Sequence, residues 1–111
     1  MNLITEKVIR GDRWSHEIEV PNLATGWDWA TVTLSCQVRA KRDPSSPVLF
    51  MLTPRLTVQD GGKALILLDA PGSFTATAPS QVCLDLKAFR ASPLFGPYTL
   101  AQIELFIQPT T

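Results

Sequence analysis

Side chains that do chemistry near neutral pH are scarce in this sequence. His16 is the single histidine, and it stands in the segment Trp14-Ser15-His16-Glu17-Ile18. Histidine is the side chain that most often serves as a general base near pH 7. No nucleophile-elbow motif supplies a serine that such a base could activate. His16 shares strand parity with Trp14 and Ile18, so we predict a packed or hydrogen-bonded residue and no enzyme.

Candidate metal ligands are equally few. The aspartates stand mostly at turn positions, where the side chain bonds to nearby backbone N–H groups. These are Asp12, Asp28, Asp43, Asp60 and Asp69. None belongs to the Asp-x-Asp pattern with glycine that calcium loops use. The two cysteines, Cys36 and Cys83, lack a metal-ligand spacing. We therefore expect no metal and no cofactor.

Trp27-Asp28-Trp29 is the most conspicuous local motif. Two tryptophans two residues apart on a strand face the same side and could form a sugar-stacking platform. Alternatively, one ring fills the core and the other covers a strand edge or a subunit contact. We favour packing or an interface, which makes Trp27 and Trp29 candidate interface residues. Phe106, in the apolar C-terminal segment, is a third candidate.

Arg10-Gly11-Asp12 spells a known adhesion tripeptide. Three-residue matches arise often by chance. A turn between two strands accounts for the same residues, because glycine tolerates positive φ. We predict such a turn here.

The overall composition excludes several classes of protein. Of 111 residues, 45% are hydrophobic, and ten Lys and Arg offset ten Asp and Glu. Domains that bind nucleic acids carry a basic surplus, so we expect no nucleic-acid partner. No apolar run approaches the roughly 20 residues of a membrane span, so we expect no membrane partner. The N-terminus also lacks the pattern of a secretory signal. The length fits a single domain, residues 1–111.

Turn signals recur about every ten residues, which favours an all-β sandwich or barrel. The clearest alternation places Val32, Leu34, Cys36 and Val38 on one face of a strand. Asp60-Gly61-Gly62-Lys63 predicts a hairpin turn before a strand at residues 64–69. Residues 70–80 leave room for one short helical turn.

Two segments predict irregular strands. Pro54 interrupts residues 48–59, which indicates an edge position or a break. In the last strand, residues 98–108, the apolar parity changes near Ala101. A β-bulge or burial of both faces would produce that change.

The predicted strand faces identify the core residues and indicate whether the two cysteines form a disulfide. The predicted core residues are Trp14, Ile18, Val32, Leu34, Val38, Leu67, Leu84 and Leu86. By parity Cys36 points inward and Cys83 outward. A disulfide needs facing Cβ atoms about 4 Å apart, so we expect two free thiols.

The order of these features resembles a known family. Five features follow one another along the chain. They are the start Val8-Ile9-Arg10-Gly11-Asp12-Arg13-Trp14, the turn at residues 22–26, a strand ending in Gln37-Val38-Arg39, the double-glycine hairpin and the segment Val82-Cys83-Leu84-Asp85-Leu86. This is similar to small phage virion proteins built as immunoglobulin-like sandwiches. It resembles most the N-terminal, virion-attaching domain of baseplate upper proteins of tailed phages. The turn is one residue longer here, and the Trp27-Asp28-Trp29 motif is an addition.

The resemblance implies an immunoglobulin-like β-sandwich and a non-enzymatic structural protein of a phage virion. It implies no catalytic residues, and it makes Gly11, Asp12, Gly26, Arg39 and Asp85 fold-determining positions. Those relatives carry long C-terminal fibre or receptor-binding parts, whereas this sequence ends after Thr111. We therefore expect a tail or baseplate adaptor or attachment subunit and no direct receptor binding.

The expected partners are other virion structural proteins and copies of the chain itself, with assembly in the host cytoplasm. Residues 1–5 and 106–111 are apolar enough to be held by a neighbour. Two alternatives stay open, a capsid decoration protein and a carbohydrate- or host-surface-binding module that uses Trp27 and Trp29.

Overall fold

The computed structural model describes residues 2–22, 27–43, 45–58, 63–91 and 94–109. Within these ranges the chain is built almost entirely of strands, joined by one short helix and one 3₁₀ turn. The strands are β1 (Asn2–Ile9), β2 (Trp14–Val20), β3 (Thr33–Arg39), β4 (Val48–Leu52), β5 (Arg55–Val58), β6 (Ala64–Ala70), β7 (Gln81–Arg90) and β8 (Phe95–Gln108). The helix is α1 (Gly72–Thr77), and the 3₁₀ turn is Trp29–Thr31. The all-β prediction and the short helical turn before β7 are both confirmed.

The strands form two sheets that pack as a sandwich. The larger sheet has the order β1-β8-β7-β3-β4, and the smaller has the order β2-β6-β5. In immunoglobulin terms, β2, β6 and β5 take the B, E and D positions, and β3, β7 and β8 take C, F and G. β4 takes the additional C′ position beside C. The topology is therefore immunoglobulin-like, as the sequence predicts.

The two ends of the described chain hold each other. β1 runs parallel to β8, with Asn2 opposite Ala101 and Ile9 opposite Gln108. This pairing lies within the chain, so the expectation that a neighbouring protein holds the terminal segments stays a prediction. β1 and β4 are consequently the two outer strands of the larger sheet.

The core lies between the sheets. Its fully buried members include Ile66, Leu68, Leu84, Leu86, Ile103 and Leu105. Size complementarity helps to fill it, because Trp14 pairs across the smaller sheet with Ala70. Of the predicted core residues, Trp14, Ile18, Val38, Leu84 and Leu86 are buried.

Three of the predicted core residues are less buried than expected. Val32 and Leu34 are half-buried and pack against the core from its margin. The assignment of Leu67 to the core is wrong, because β6 turns Ile66 and Leu68 inward and leaves Leu67 half-buried on the outer face. Pairing with Ile18 opposite Ile66 sets that register.

The predicted strand irregularities are present. Pro54 separates β4 from β5, and the two strands belong to different sheets. In the β7–β8 pairing, Leu86 faces Ala101 and Lys87 faces Thr99, so the register shift that skips Leu100 is the predicted bulge. β5 and β6 pair as a hairpin. The Asp60-Gly61-Gly62 turn itself, and the turn at residues 23–26 with Gly26, lie outside the described residues.

Candidate functional site

The two tryptophans of the Trp27-Asp28-Trp29 motif lie in the core, 8% and 3% exposed. Their rings meet edge to face with centroids 5.6 Å apart. Nε1 of Trp29 donates to Oδ1 of Asn22 at 3.0 Å, and the Arg90 guanidinium lies 4.7 Å from the centroid of the Trp27 ring. Neither ring offers the open face that a sugar needs for stacking. Their role as interface residues stays a prediction that this burial does not favour.

His16 links the two sheets at one side of the sandwich. Its Nδ1 lies 2.7 Å from Oε1 of Glu6 on β1, and its ring stacks on Trp14 with centroids 6.1 Å apart. Glu6 points inward from β1 because it pairs with the buried Leu105. His16 is thus the packed, hydrogen-bonded residue that its strand parity predicts.

The Arg10-Gly11-Asp12 tripeptide is a turn that holds α1 in place. Gly11 adopts the predicted positive φ, +92°. The hydroxyl of the buried Thr75 accepts from the Gly11 N–H at 3.1 Å and lies 2.7 Å from the Asp12 carbonyl oxygen. Arg10 Nη1 donates to the Ala78 carbonyl at 2.7 Å. These contacts give the tripeptide a structural role, because they attach α1 to the turn between β1 and β2.

Replacing this buried hydroxyl tests the turn. We expect Thr75→Val to lower the free energy of unfolding by about 1–3 kcal/mol, because the Gly11 N–H and the Asp12 carbonyl both lose the hydroxyl that they bond to. Thr77→Val is the matched control, because Thr77 is exposed on the same helix and should change stability by less than about 0.5 kcal/mol. Urea unfolding of both variants measures the difference. Equal effects would contradict the assignment.

Both cysteines are free, as predicted, and both are buried. Cys36 points into the core, whereas Cys83 lies on the outer face of the larger sheet, opposite Glu104. Burial raises the pKa of the Cys36 thiol to about 12, and the nearby Asp85 carboxylate adds to the shift. Burial, followed by Glu104, also raises the pKa of Cys83.

The raised pKa of Cys36 makes stability depend on alkaline pH. The folded state holds this thiol proton more tightly than the unfolded chain does. The contribution of this protonated thiol to the free energy of unfolding is therefore complete below the ordinary thiol pKa of about 8.5. It is lost as the pH rises toward 12. We expect the free energy of unfolding of the wild type to fall relative to that of Cys36→Ala above about pH 8.5. Parallel pH profiles in urea titrations would contradict this.

A polar cluster covers the middle of the larger sheet's outer face. Arg39 and Asp85 lie 3.6 Å apart across β3 and β7, and both side chains are largely buried. Asp85 also accepts from Gln102 at 3.0 Å. Arg39 Nε donates to the Ser46 carbonyl at 3.0 Å, which draws the segment between β3 and β4 onto this face. Arg39 and Asp85 therefore connect β3, β7 and the segment before β4.

β4 is the most exposed apolar segment among the described residues. Val48, Leu49, Phe50 and Met51 are consecutive, and each is between 36% and 56% exposed. β4 pairs with β3 on one side only, so in the described part of the chain its other edge has no strand partner. An edge of this kind presents unpaired N–H and C=O groups that another strand can take up.

Two grooves, each with a cavity volume of about 300 Å³, flank Phe50 between β4 and its neighbours. We name them groove 1 and groove 2. Groove 1 is lined by Leu49, Phe50, Phe74, Thr77 and Ala78, among others. Groove 2 is lined by Phe50, Met51, Thr53, Arg55 and Asp69, among others. Phe50 forms the wall between them, and its ring stacks on Phe74 of α1 with centroids 4.8 Å apart.

Several features limit the length of this edge. Pro47 and Pro54 flank β4, and proline cannot donate to a strand ladder. Leu49 is skipped in the pairing of β4 with β3, since Val38 faces Phe50 and Arg39 faces Val48. A bulge of this kind twists an edge strand locally. The edge therefore suits a short added segment better than an indefinitely extended sheet.

Comparison with known proteins gives no identification. No family model and no curated protein matches the sequence. None of the helical segments within the described ranges has the length and apolarity that a membrane crossing demands. Among the described residues, no three His, Cys, Asp or Glu side chains gather as a metal site.

Phe106, the third predicted interface residue, is half-buried on the outer face of the larger sheet, between Lys7 and Gln81. Its interface role stays a prediction. Phe106 lies on this outer face whereas Trp27 and Trp29 lie in the core, so the three side chains do not form one surface. The surface that sequence reasoning missed is β4, whose only signal is an uninterrupted apolar run between two prolines.

Proposed function

We propose that this chain is a non-enzymatic structural subunit of a phage virion that docks onto other virion proteins through the free edge of β4. The place of action would be the tail or baseplate, as an adaptor or attachment subunit. Copies of the chain would sit together in the assembly, which forms in the host cytoplasm.

The observation that carries the docking role is the exposure of four consecutive apolar side chains on an edge strand. The largest contiguous apolar patch on a folded domain is often functional. The virion assignment is supported by the resemblance of the ordered motifs and by the immunoglobulin-like topology. Three of the matched positions have structural roles of the kind that a shared fold would require. Gly11 adopts a positive φ, and Arg39 and Asp85 form an ion pair.

The carbohydrate-binding alternative has less support. It depends on stacking faces at Trp27 and Trp29, and both rings are buried. A decoration protein on the capsid would use the same kind of edge, so the geometry does not separate it from a tail subunit.

Particle purification tests the proposal. Virions from a lysate of the phage that encodes the chain would be banded in a density gradient and probed with an antibody to the chain. We expect the chain to band with the particles, and immunogold labelling to fall on the tail. Recovery only in the protein fraction above the particles would overturn the virion role, and labelling on the head would favour the decoration protein.

A further inference from the structure

The shape of the β4 edge restricts what can occupy it. Two classes of occupant are possible for a short apolar edge strand flanked by grooves: a second copy that pairs β4 with β4, or an extended segment of another protein. The area of the patch and the state of its side chains separate the two.

A second copy would bury too little surface through this patch. A large side chain has about 200 Å² of surface, and the four exposed β4 residues are about half exposed or less. Two copies facing each other would bury about 700 Å² from these side chains, whereas stable specific interfaces bury about 1,200–2,000 Å². β4 pairing alone therefore does not reach the area of a stable dimer, whereas a weak, peptide-sized contact forms with less buried area.

The side chains of a second copy are also committed elsewhere. Leu52 is buried in its own sandwich, and Phe50 stacks on its own Phe74. Of the other exposed β4 side chains, Leu49 already lines its own groove 1 and Met51 its own groove 2, which leaves Val48 to enter a groove of the partner. A segment that is not already part of a sheet can place every second side chain there, because side chains alternate along a strand.

We infer that the β4 edge takes up an extended, uncharged apolar segment of a partner protein as an added strand. Two large apolar side chains, two residues apart, would enter groove 1 and groove 2 on either side of Phe50. This inference rests on the proposed docking function and specifies its partner. Main-chain hydrogen bonds would supply affinity, and the two grooves would supply specificity.

The absence of charge along the edge agrees with an uncharged partner segment. The sequence carries no charged residue between Asp43 and Arg55. In groove 2, Asp69 is ion-paired with Arg13, so its charge is already compensated. Groove 1 has no charged residue in its described lining, so a charged side chain entering it would lose hydration without gaining a counter-charge. Groove 2 also contains Arg55, which would oppose a basic side chain there.

A synthetic peptide tests the inference directly. The probe is acetyl-Ser-Thr-Leu-Thr-Leu-Thr-Ser-amide. Its binding is followed by the backbone amide NMR shifts of the full chain. We expect saturable shifts at β4, Phe74 and Ala78. The same peptide with both leucines replaced by serine should bind at least tenfold more weakly. Peptides N-methylated at the leucines or at the threonines should differ at least tenfold from each other, because alternate N–H groups face β4.

Variants of the chain complete the test. Leu49→Lys places a charge in groove 1 and should weaken binding of the leucine peptide at least tenfold. Leu3→Lys is the matched control, because Leu3 is exposed on the opposite edge strand β1 and should leave binding unchanged. No saturable binding, or equal affinity for both N-methylated peptides, would overturn strand addition. A concentration-dependent dimer whose shifts centre on β4 would replace it with self-pairing.

These outcomes are separate from those of the proposed function. A chain that bands with virions but does not bind the peptide retains its structural role and loses the strand-addition mechanism. A chain that binds the peptide at β4 but is absent from virions retains the strand-addition site and loses the virion role.

Discussion

Leu84→Ala is expected to lower the free energy of unfolding by about 2–5 kcal/mol. Leu84 is fully buried at the centre of the core and lies between Val38 on β3 and Ile103 on β8. Truncation removes apolar contacts and leaves a cavity that well-packed neighbours fill only in part. For a domain of this size the melting temperature should fall by roughly 10 °C or more. Thermal unfolding followed by circular dichroism measures this.

Leu67→Ala is the matched control for this truncation. Leu67 lies half-buried on the outer face of the smaller sheet. Its truncation should therefore lower the free energy of unfolding clearly less than Leu84→Ala does. Because Leu67 and its neighbour Leu68 differ by one residue in a strand, the control also tests the register of β6. A cost for Leu67→Ala as large as that for Leu84→Ala would show that β6 is shifted by one residue.

Arg39→Met is expected to lower the free energy of unfolding by about 2–3 kcal/mol. The change removes the ion-pair partner of the largely buried Asp85 and leaves that carboxylate with its bond from Gln102. An uncompensated buried charge is more costly than the intact pair is stabilising. It also removes the bond to the Ser46 carbonyl that holds the segment before β4. Urea unfolding at neutral pH measures the loss.

Two further variants show whether the charge is the cause. Lys41→Met removes an exposed charge from the neighbouring segment and should change stability by less than about 0.5 kcal/mol. The double variant Arg39→Met/Asp85→Leu removes both charges and should recover part of the loss. A double variant less stable than Arg39→Met alone would contradict the account of a stranded carboxylate.

Much of the fold follows from local sequence signals. Alternation in β3 places Cys36 and Val38 inward, and the structure agrees. The hairpin between β5 and β6, the break at Pro54 and the bulge near Ala101 each have a local cause. Leu67 was misassigned because the run Leu65-Ile66-Leu67-Leu68 is apolar on both faces, so parity alone cannot choose between them. Cross-strand pairing with β2 makes that choice.

The candidate site was much harder to predict. A run of apolar residues such as Val48-Leu49-Phe50-Met51-Leu52 is typical of a buried strand. Its exposure depends on strand order, because β4 lies at the end of the larger sheet and only β3 pairs with it. Pro54 predicts an edge position or a break but does not show which side chains stay open. Groove 1 beside Phe50 depends on α1, which packs there through contacts distant in sequence.

The central claim is that the β4 edge docks onto virion proteins, and the occupancy of purified particles by two variants tests it most directly. Phage encoding Met51→Lys or Leu3→Lys would be grown in parallel, and the chain would be quantified in banded particles. Both residues are about half exposed on opposite outer strands of the larger sheet, so neither change should unfold the chain. A lysine on an edge strand opposes pairing. The account predicts at least tenfold lower occupancy for Met51→Lys and normal occupancy for Leu3→Lys, whereas normal incorporation of Met51→Lys would contradict it.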